Sequence, residues 1–438
     1  DRNRPLHVFD ADKVQGNLRV HRAAGGEELL ALDEKTYALD PGMMVISDDR
    51  APESLAGIMG GEESGVTEDT VNVFLESAYW DPVTIARTAR VLKINSDAKY
   101  RFERGVDPAF TLPGLELATQ MVLDLCGGEP SEVVSAGAVP DTRNPHNVEF
   151  TPGGSSAGSG AAVGGGEVPL ALASQTAGST IRPASFCGAA GFKPTWGRVP
   201  TEGMKPFAPS LDTVGFIAED SSLLLQAAEA CGILHDTAPG AGQPLRIGFY
   251  RTPYYADAEQ ETIFAIEKTI HLLRQAGHRV EDVAGPADSE LLNEWQNTVM
   301  HGEARSSYLA EHARDPGLLH PGVRDVVNNT LGITFEELRD AYDGIAALRP
   351  QFDAAMAGFD AWLTPAVPGE APRFELGNGL ATFNRLFTAL WLPCIALPGF
   401  RGPYGLPVGV QLVGPRFADS RLLDTAWVVE SLLSAEYP

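Results

Sequence analysis

Two serines, Ser155 and Ser179, stand 24 positions apart, each inside a turn of small residues. The chain reads GGSSAGSG around the first and QTAGSTIRP around the second, with the apolar run VPLALAS between them. Small residues let a backbone approach a ligand closely, and consecutive N–H groups at a turn can hold an oxyanion. Hydroxyls presented in this way point to acyl transfer, with a serine as nucleophile. The stretch from Thr151 to Gly188 contains no Lys, Asp or His, so any charge that activates a serine must come from elsewhere. A Gly/Ser-rich linker is one alternative, since such runs usually behave as coil. A linker lacks pattern, however, whereas here AAV reads as a helix start and VPLALAS as a buried strand. A phosphate loop is the other alternative, but GxxxxGK[ST] is absent and no lysine follows the glycines.

The same residues resemble the amidase signature family. Gly153-Gly154-Ser155-Ser156-Ala157-Gly158-Ser159 matches its first turn and Gly178-Ser179-Thr180-Ile181-Arg182-Pro183 its second, at the family's spacing. FCGAAGFKPTWGRVP and GLPVGVQLVGP extend the likeness over Thr142–Pro438. The resemblance implies hydrolysis of a small linear amide, with Ser179 as nucleophile and Ser155, on a cis peptide bond, relaying the proton. It implies an oxyanion hole from the N–H groups of Thr176, Ala177, Gly178 and Ser179, substrate contacts from Ser156 and Arg182, and neither cofactor nor metal. Arg182 is read two ways: it orients a carboxylate, or it supports the turn. Ala177 stands where the family most often has Gly, and Gln175 where it often has Asp. The family's base is a lysine upstream of the first serine, with a pKa that must fall from about 10.4 towards 7. No lysine of this chain is assigned that role: Lys93 and Lys99 belong to a different pattern, and Lys193 follows both serines.

A second set of motifs occupies the front. RPLHVFDADKV, GIMGGEESGV, NVFLESAYWDP and INSDAKYRFERGVDP resemble the B3/B4 region of the phenylalanyl-tRNA synthetase β subunit, a likeness that runs from about Arg4 to Val139. That resemblance implies an editing module that hydrolyses tyrosine from the phenylalanine tRNA, with His7, Gly60, Glu76, Ser96 and Ala98 as its pocket. Its partners would be tRNA and a synthetase α subunit. Hydrogen bonds from Glu76 and Ser96 to a tyrosyl hydroxyl would discriminate strongly, because phenylalanine cannot make them. From the residues alone, Glu76 is also an ordinary outward-facing carboxylate on a strand, and His7 a packing residue. Arg87, Arg90, Lys93, Lys99, Arg101 and Arg104 form a basic stretch against Asp97 and Glu103, suited to RNA phosphates or to a solvated face.

The elements that must carry these groups are legible in outline. LRVHRA, KTYAL and MMVISDD read as short strands and TVNVFLESAYW as a longer one, with Asp81-Pro82 opening a helix. Leu112, Leu115, Ala118, Met121, Val122 and Leu125 fall on one helical face, which Gly127-Gly128 ends. Further on, Leu245, Ile247 and Phe249 form a strand, Ile263 to Leu273 a helix stripe, and HRVEDV a second strand, the unit of a mainly parallel sheet. DAWLTPAV and VGVQLVGP add buried strands, and a last helix runs near Leu422–Leu433. The fold class expected is α/β: an α+β B3/B4-like fragment, then an amidase-signature mixed sheet flanked by helices. The expected domains are 1–139, a junction at 140–147 within AVPDTRNPHN, and 148–438.

With 44% hydrophobic and 21% charged residues the chain is ordinary for a globular protein, but its net charge of −25 is not. Both parts are acidic, which excludes binding of nucleic acid or anionic membrane by the surface at large. Four scattered cysteines without a CxxC pair suggest free thiols and a cytoplasmic location. No run is apolar and long enough for a membrane span. The chain opens on Asp1, not Met, which suggests processing or truncation of the start, and the two resemblances each cover an incomplete piece, so a truncated or artefactual fusion joined near Pro140–Pro145 is expected. A catalytically inactive fusion is one outcome of such a join.

Overall fold

Alternating short strands and amphipathic helices build two compact units, residues 1–141 and 142–438. The computed structural model describes residues 5–135, 137, 141–234 and 243–436; Ala138–Pro140 of the expected junction, and Arg4 and Val139 at the ends of the front motifs, lie outside them.

The first unit comprises β1 (His7–Asp10), β2 (Arg19–Arg22), β3 (Glu27–Leu30), β4 (Thr36–Leu39), β5 (Met44–Ser47), β6 (Pro52–Leu55), β7 (Met59–Gly60), β8 (Val73–Glu76), α1 (Pro82–Leu92), α2 (Asp97–Phe102) and α3 (Thr111–Cys126). β2-β5-β6-β7 form one sheet, and β1-β8 and β3-β4 form two-stranded pairs. Phe9, Leu39, Val45, Leu55, Ile85 and Phe102 meet in one core. Asp81 caps α1 by accepting from Thr84 N at 2.8 Å, with Pro82 at the first helical position. The long strand expected over TVNVFLESAYW is confined to β8, the four residues that find a partner in β1. α3 ends at Gly127 as expected, yet it buries none of its residues, and Met121 and Leu125 stay exposed.

The second unit runs α4 (Ala157–Gly164), β9 (Leu170–Gln175), α5 (Ile181–Cys187), β10 (Ala190–Lys193), β11 (Thr213–Ala218), α6 (Ser221–Ala230), β12 (Arg246–Tyr250), α7 (Gln260–Gln275), β13 (Arg279–Val283), α8 (Leu292–Ser307), α9 (Leu309–Arg314), α10 (Pro321–Val327), α11 (Phe335–Met356), β14 (Ala361–Pro365), α12 (Arg385–Ala389), β15 (Cys394–Arg401), β16 (Pro407–Val413) and α13 (Asp419–Glu436). Eight strands form one sheet in the order β13-β12-β14-β16-β15-β10-β11-β9. Among the described strands only the two pairings of β12 are parallel, so the sheet is mixed and not mainly parallel as the strand–helix–strand unit suggested. The two-residue period sorts side chains to opposite faces. Trp362, Cys394 and Val413 pack with Phe352 and Phe387 on one side. Leu363, Ile395 and Leu412 pack with Leu273 and Leu422 on the other. α5 is buried along its whole length.

β9 departs from expectation. Among the described strands it is an edge paired with β11 alone, and Leu172 is 69% exposed. All four cysteines are unpaired, and no described helix is long and apolar enough to cross a membrane.

Candidate active site

The first turn is fixed from several sides. Gly153 adopts φ +81° beneath Pro183, a conformation and a closeness that suit glycine. The Gly154–Ser155 peptide is cis. The Gly154 carbonyl accepts from Arg182 Nε at 3.2 Å and from a second guanidinium nitrogen. Ser156 Oγ donates to the Ser174 carbonyl and accepts from Ser174 N, both at 3.2 Å, and Ser159 Oγ donates to the Leu172 carbonyl at 2.7 Å. The motif's serines thus tie the turn and α4 to the outer edge of β9. Ser155 itself is exposed.

The second turn follows β9 directly. Its carbonyls are held by neighbours: Thr176 O by Gln296 Nε2 at 2.8 Å, Ala177 O by Thr388 Oγ1 at 2.8 Å, and Gly178 O by Arg182 N at 2.9 Å. Gln175 Oε1 accepts from Thr180 N and Ile181 N at 3.0 and 3.1 Å, while its Nε2 donates to Thr388 Oγ1 at 3.0 Å. Gln175 therefore supports the start of α5 with a neutral amide. With their carbonyls engaged, the N–H groups of Ala177, Gly178 and Ser179 donate to nothing among the described residues. Three such donors in succession are the raw material of an oxyanion site. Ser156 N donates to Ser179 O at 3.4 Å and brings the two turns together. Thr176 Oγ1 donates to Asp212 at 2.5 Å, whose other oxygen accepts from Phe207 N and Ala208 N. Burial raises the Asp212 carboxyl above its ordinary range against these bonds.

Charge around the turns is positive, and it is arginine. Arg182 is buried, spends its guanidinium on the carbonyls of Gly154 and Gly379, and is pushed down to about 10 by burial and by the nearby Arg385. The second unit holds three lysines. Lys193 is fully buried and donates to Pro194 O at 2.8 Å, Lys205 pairs with Glu311, and Lys268 with Glu436. No described lysine hydrogen-bonds to Ser155 or Ser179. Gln296, Thr388 and Asp212 were not picked out from the sequence. Asp212, a lone acid before an apolar strand, left a faint signal; Gln296 and Thr388 looked like ordinary polar positions on helices.

In the first unit, His7, Gly60, Glu76, Ser96 and Ala98 line one cavity of about 320 Å³. His7 and Glu76 are direct partners across β1 and β8. Any Cβ on Gly60 would lie 2.1 Å from His7 Cε1, so the ring occupies space that only glycine leaves. Burial pushes the Glu76 carboxyl up to about 7 and lowers His7. Ser96 Oγ donates to Ile58 O at 2.6 Å and caps α2 through Lys99 N at 3.0 Å, which leaves it one acceptor site. In the basic stretch, Lys99 and Arg104 pair with Glu103 and Arg101 with Asp97, so half of its cations are neutralised locally.

The family described as Amidase matches residues 133–423, well over half of the chain. The chain belongs to the amidase family. Among solved structures, one described as an amidase is 28% identical with a TM-score of 0.62, covering 68% of this chain and 69% of that chain. A glutamyl-tRNA(Gln) amidotransferase subunit from Thermotoga maritima is 27% identical with a TM-score of 0.54, over 64% and 66% of the two chains. The B3/4 domain matches residues 1–127. There the chain is similar to phenylalanine–tRNA ligase β subunits: 74% identical over 147 residues in Cereibacter sphaeroides and 73% over 149 in Ruegeria pomeroyi, each covering 34% of this chain. The matched stretch spans 18% and 19% of those curated relatives.

Proposed function

We propose that the second unit hydrolyses a carbon–nitrogen bond of a linear amide, with Ser179 as nucleophile. Ser179 Oγ attacks the amide carbonyl, its proton passes through Ser155 to the leaving amine, and water then releases the acid from the acyl-serine. The developing oxyanion lies among the N–H groups of Thr176, Ala177, Gly178 and Ser179. Ser156 and Arg182 border the substrate by fixing the first turn. The observation that carries this reading is the joining of the two turns at Ser156 N and Ser179 O, with three unspent donors beside it. Without a lysine bonded to either hydroxyl, turnover is expected to be roughly three to six orders of magnitude below that of a complete triad. A fluorophosphonate probe should label Ser179, and Ser179→Ala should abolish labelling and amide hydrolysis. Equal activity in the variant sinks the nucleophile; absence of both in the parent leaves an inactive fusion.

A second reading belongs to the first unit and rests on its cavity. There the Glu76 carboxyl, raised to about 7, would donate its proton to the hydroxyl oxygen of a tyrosyl group, whose own proton would go to the remaining acceptor of Ser96, which gives an editing site for mischarged tRNA. Partnership with tRNA and a synthetase α subunit would follow. Glu76→Ala should lose tyrosyl-tRNA hydrolysis, and a parent without that activity removes the reading. For the domains we propose 1–139 and 148–438, joined through 140–147; genomic sequence across this junction tests whether one reading frame carries both.

A further inference from the structure

Beside the second turn lies a cavity of about 400 Å³ whose wall includes Arg182, Asn297, Ala381 and Arg385. It adjoins the proposed reaction centre. Ala381 Cβ lies 2.8 Å from where a Cβ on Gly178 would stand, and Arg182 N bonds Gly178 O. Two guanidinium groups face this space, close enough for Arg385 to depress Arg182. Neither forms an ion pair among the described residues, although the chain carries 58 acids against 33 Lys and Arg. Glu294 is the one acid among the described wall residues; it is exposed and bonds to neither. Like charges brought together under partial burial are unfavourable unless an anion completes the set.

The two arginines are not equivalent. Arg182 is spent on main-chain carbonyls. Arg385 uses only Nη1, towards Asn297 Oδ1 at 2.8 Å and Gln296 Oε1 at 3.2 Å, which leaves Nε and Nη2 without a partner among the described residues. Those two nitrogens form one edge of the planar fork, the edge that matches a carboxylate in bidentate fashion. Gln296 in turn holds Thr176 O, so the group that aims Arg385 also aims the turn.

We propose that this cavity is an anion subsite in which Arg385 reads a carboxylate on the amide substrate, so that the preferred substrates are monoamides of small dicarboxylic acids. The proposal rests on the hydrolase reading above and narrows it. Binding of succinamic acid to the full chain carrying Ser179→Ala, measured by titration calorimetry, should be about tenfold or more tighter than binding of its methyl ester, the scale of a charge-assisted hydrogen bond. Added salt should weaken only the acid. Arg385→Gln should erase the preference, and Arg385→Lys, which keeps the charge without the fork, should retain part of it. Equal affinity for acid and ester, a comparison that needs no change at Arg385, overturns the proposal, as does a preference that survives Arg385→Gln in a folded protein. Probe labelling of Ser179 in the parent keeps the two ideas apart. Labelling without a preference removes the subsite alone, and a preference without labelling removes the nucleophile alone.

Discussion

At the residue scale the site depends on what is small. An alanine at position 178 would place its methyl 2.6 Å from Asn384 Oδ1 and 2.8 Å from Ala381 Cβ, both in packed surroundings. Relief requires the turn to move, at a cost of about 1–3 kcal/mol, and the shift carries the donors of residues 178 and 179 with it. Gly178→Ala should therefore lower both the melting temperature and the turnover; a variant that loses neither shows the turn to be looser than described. Glu76 offers a test by titration. Its carboxyl is raised from 4.5 to about 7, so the folded chain keeps a proton that the unfolded chain releases. That contribution is whole below about pH 4.5 and is lost as pH climbs to about 7, roughly 3 kcal/mol in all. Urea unfolding across this range should show the decline in the parent and a flatter profile in Glu76→Gln. Identical slopes would refute the shift.

At the element scale, the residues that hold the second turn come from far along the chain. Thr388 on α12 and Gln296 on α8 each bind a carbonyl of the turn. Thr388→Val would leave Ala177 O and Gln175 Nε2 unpaired, about 1–3 kcal/mol of stability. It should also lower kcat by about tenfold or more, since a rotated peptide misaims its N–H. Lost stability with kcat unchanged would make Thr388 purely architectural. The two serine turns, the strand between them and the α7 stripe were legible because Gly spacing and periodicity are local signals. The exposure of β9 at the sheet edge and the antiparallel majority of the sheet were not. Leu170 and Leu172 look like core residues in sequence, and their exposure depends on whether a distant element covers the face from which they project. Pairing direction likewise depends on which distant strands become neighbours, as β16 does between β14 and β15. Thr388 and Gln296 stayed hidden for the same reason.

At the scale of the whole molecule, the two units have separate cores. Scanning calorimetry should resolve two transitions, and Glu76→Gln should move only one of them. A single cooperative transition would contradict this. One last consequence comes from the serines that clasp β9. An unguarded sheet edge is a template on which a second copy of the chain can zip, and most proteins blunt it with lysine, proline or a covering loop. Here Ser156 and Ser159 occupy the outward carbonyls of Ser174 and Leu172, next to an exposed leucine. Ser159→Ala would free one of those acceptors, and sedimentation should then reveal concentration-dependent clustering that the parent lacks. The motif that presents a hydroxyl for chemistry would then also serve as the molecule's protection against aggregation.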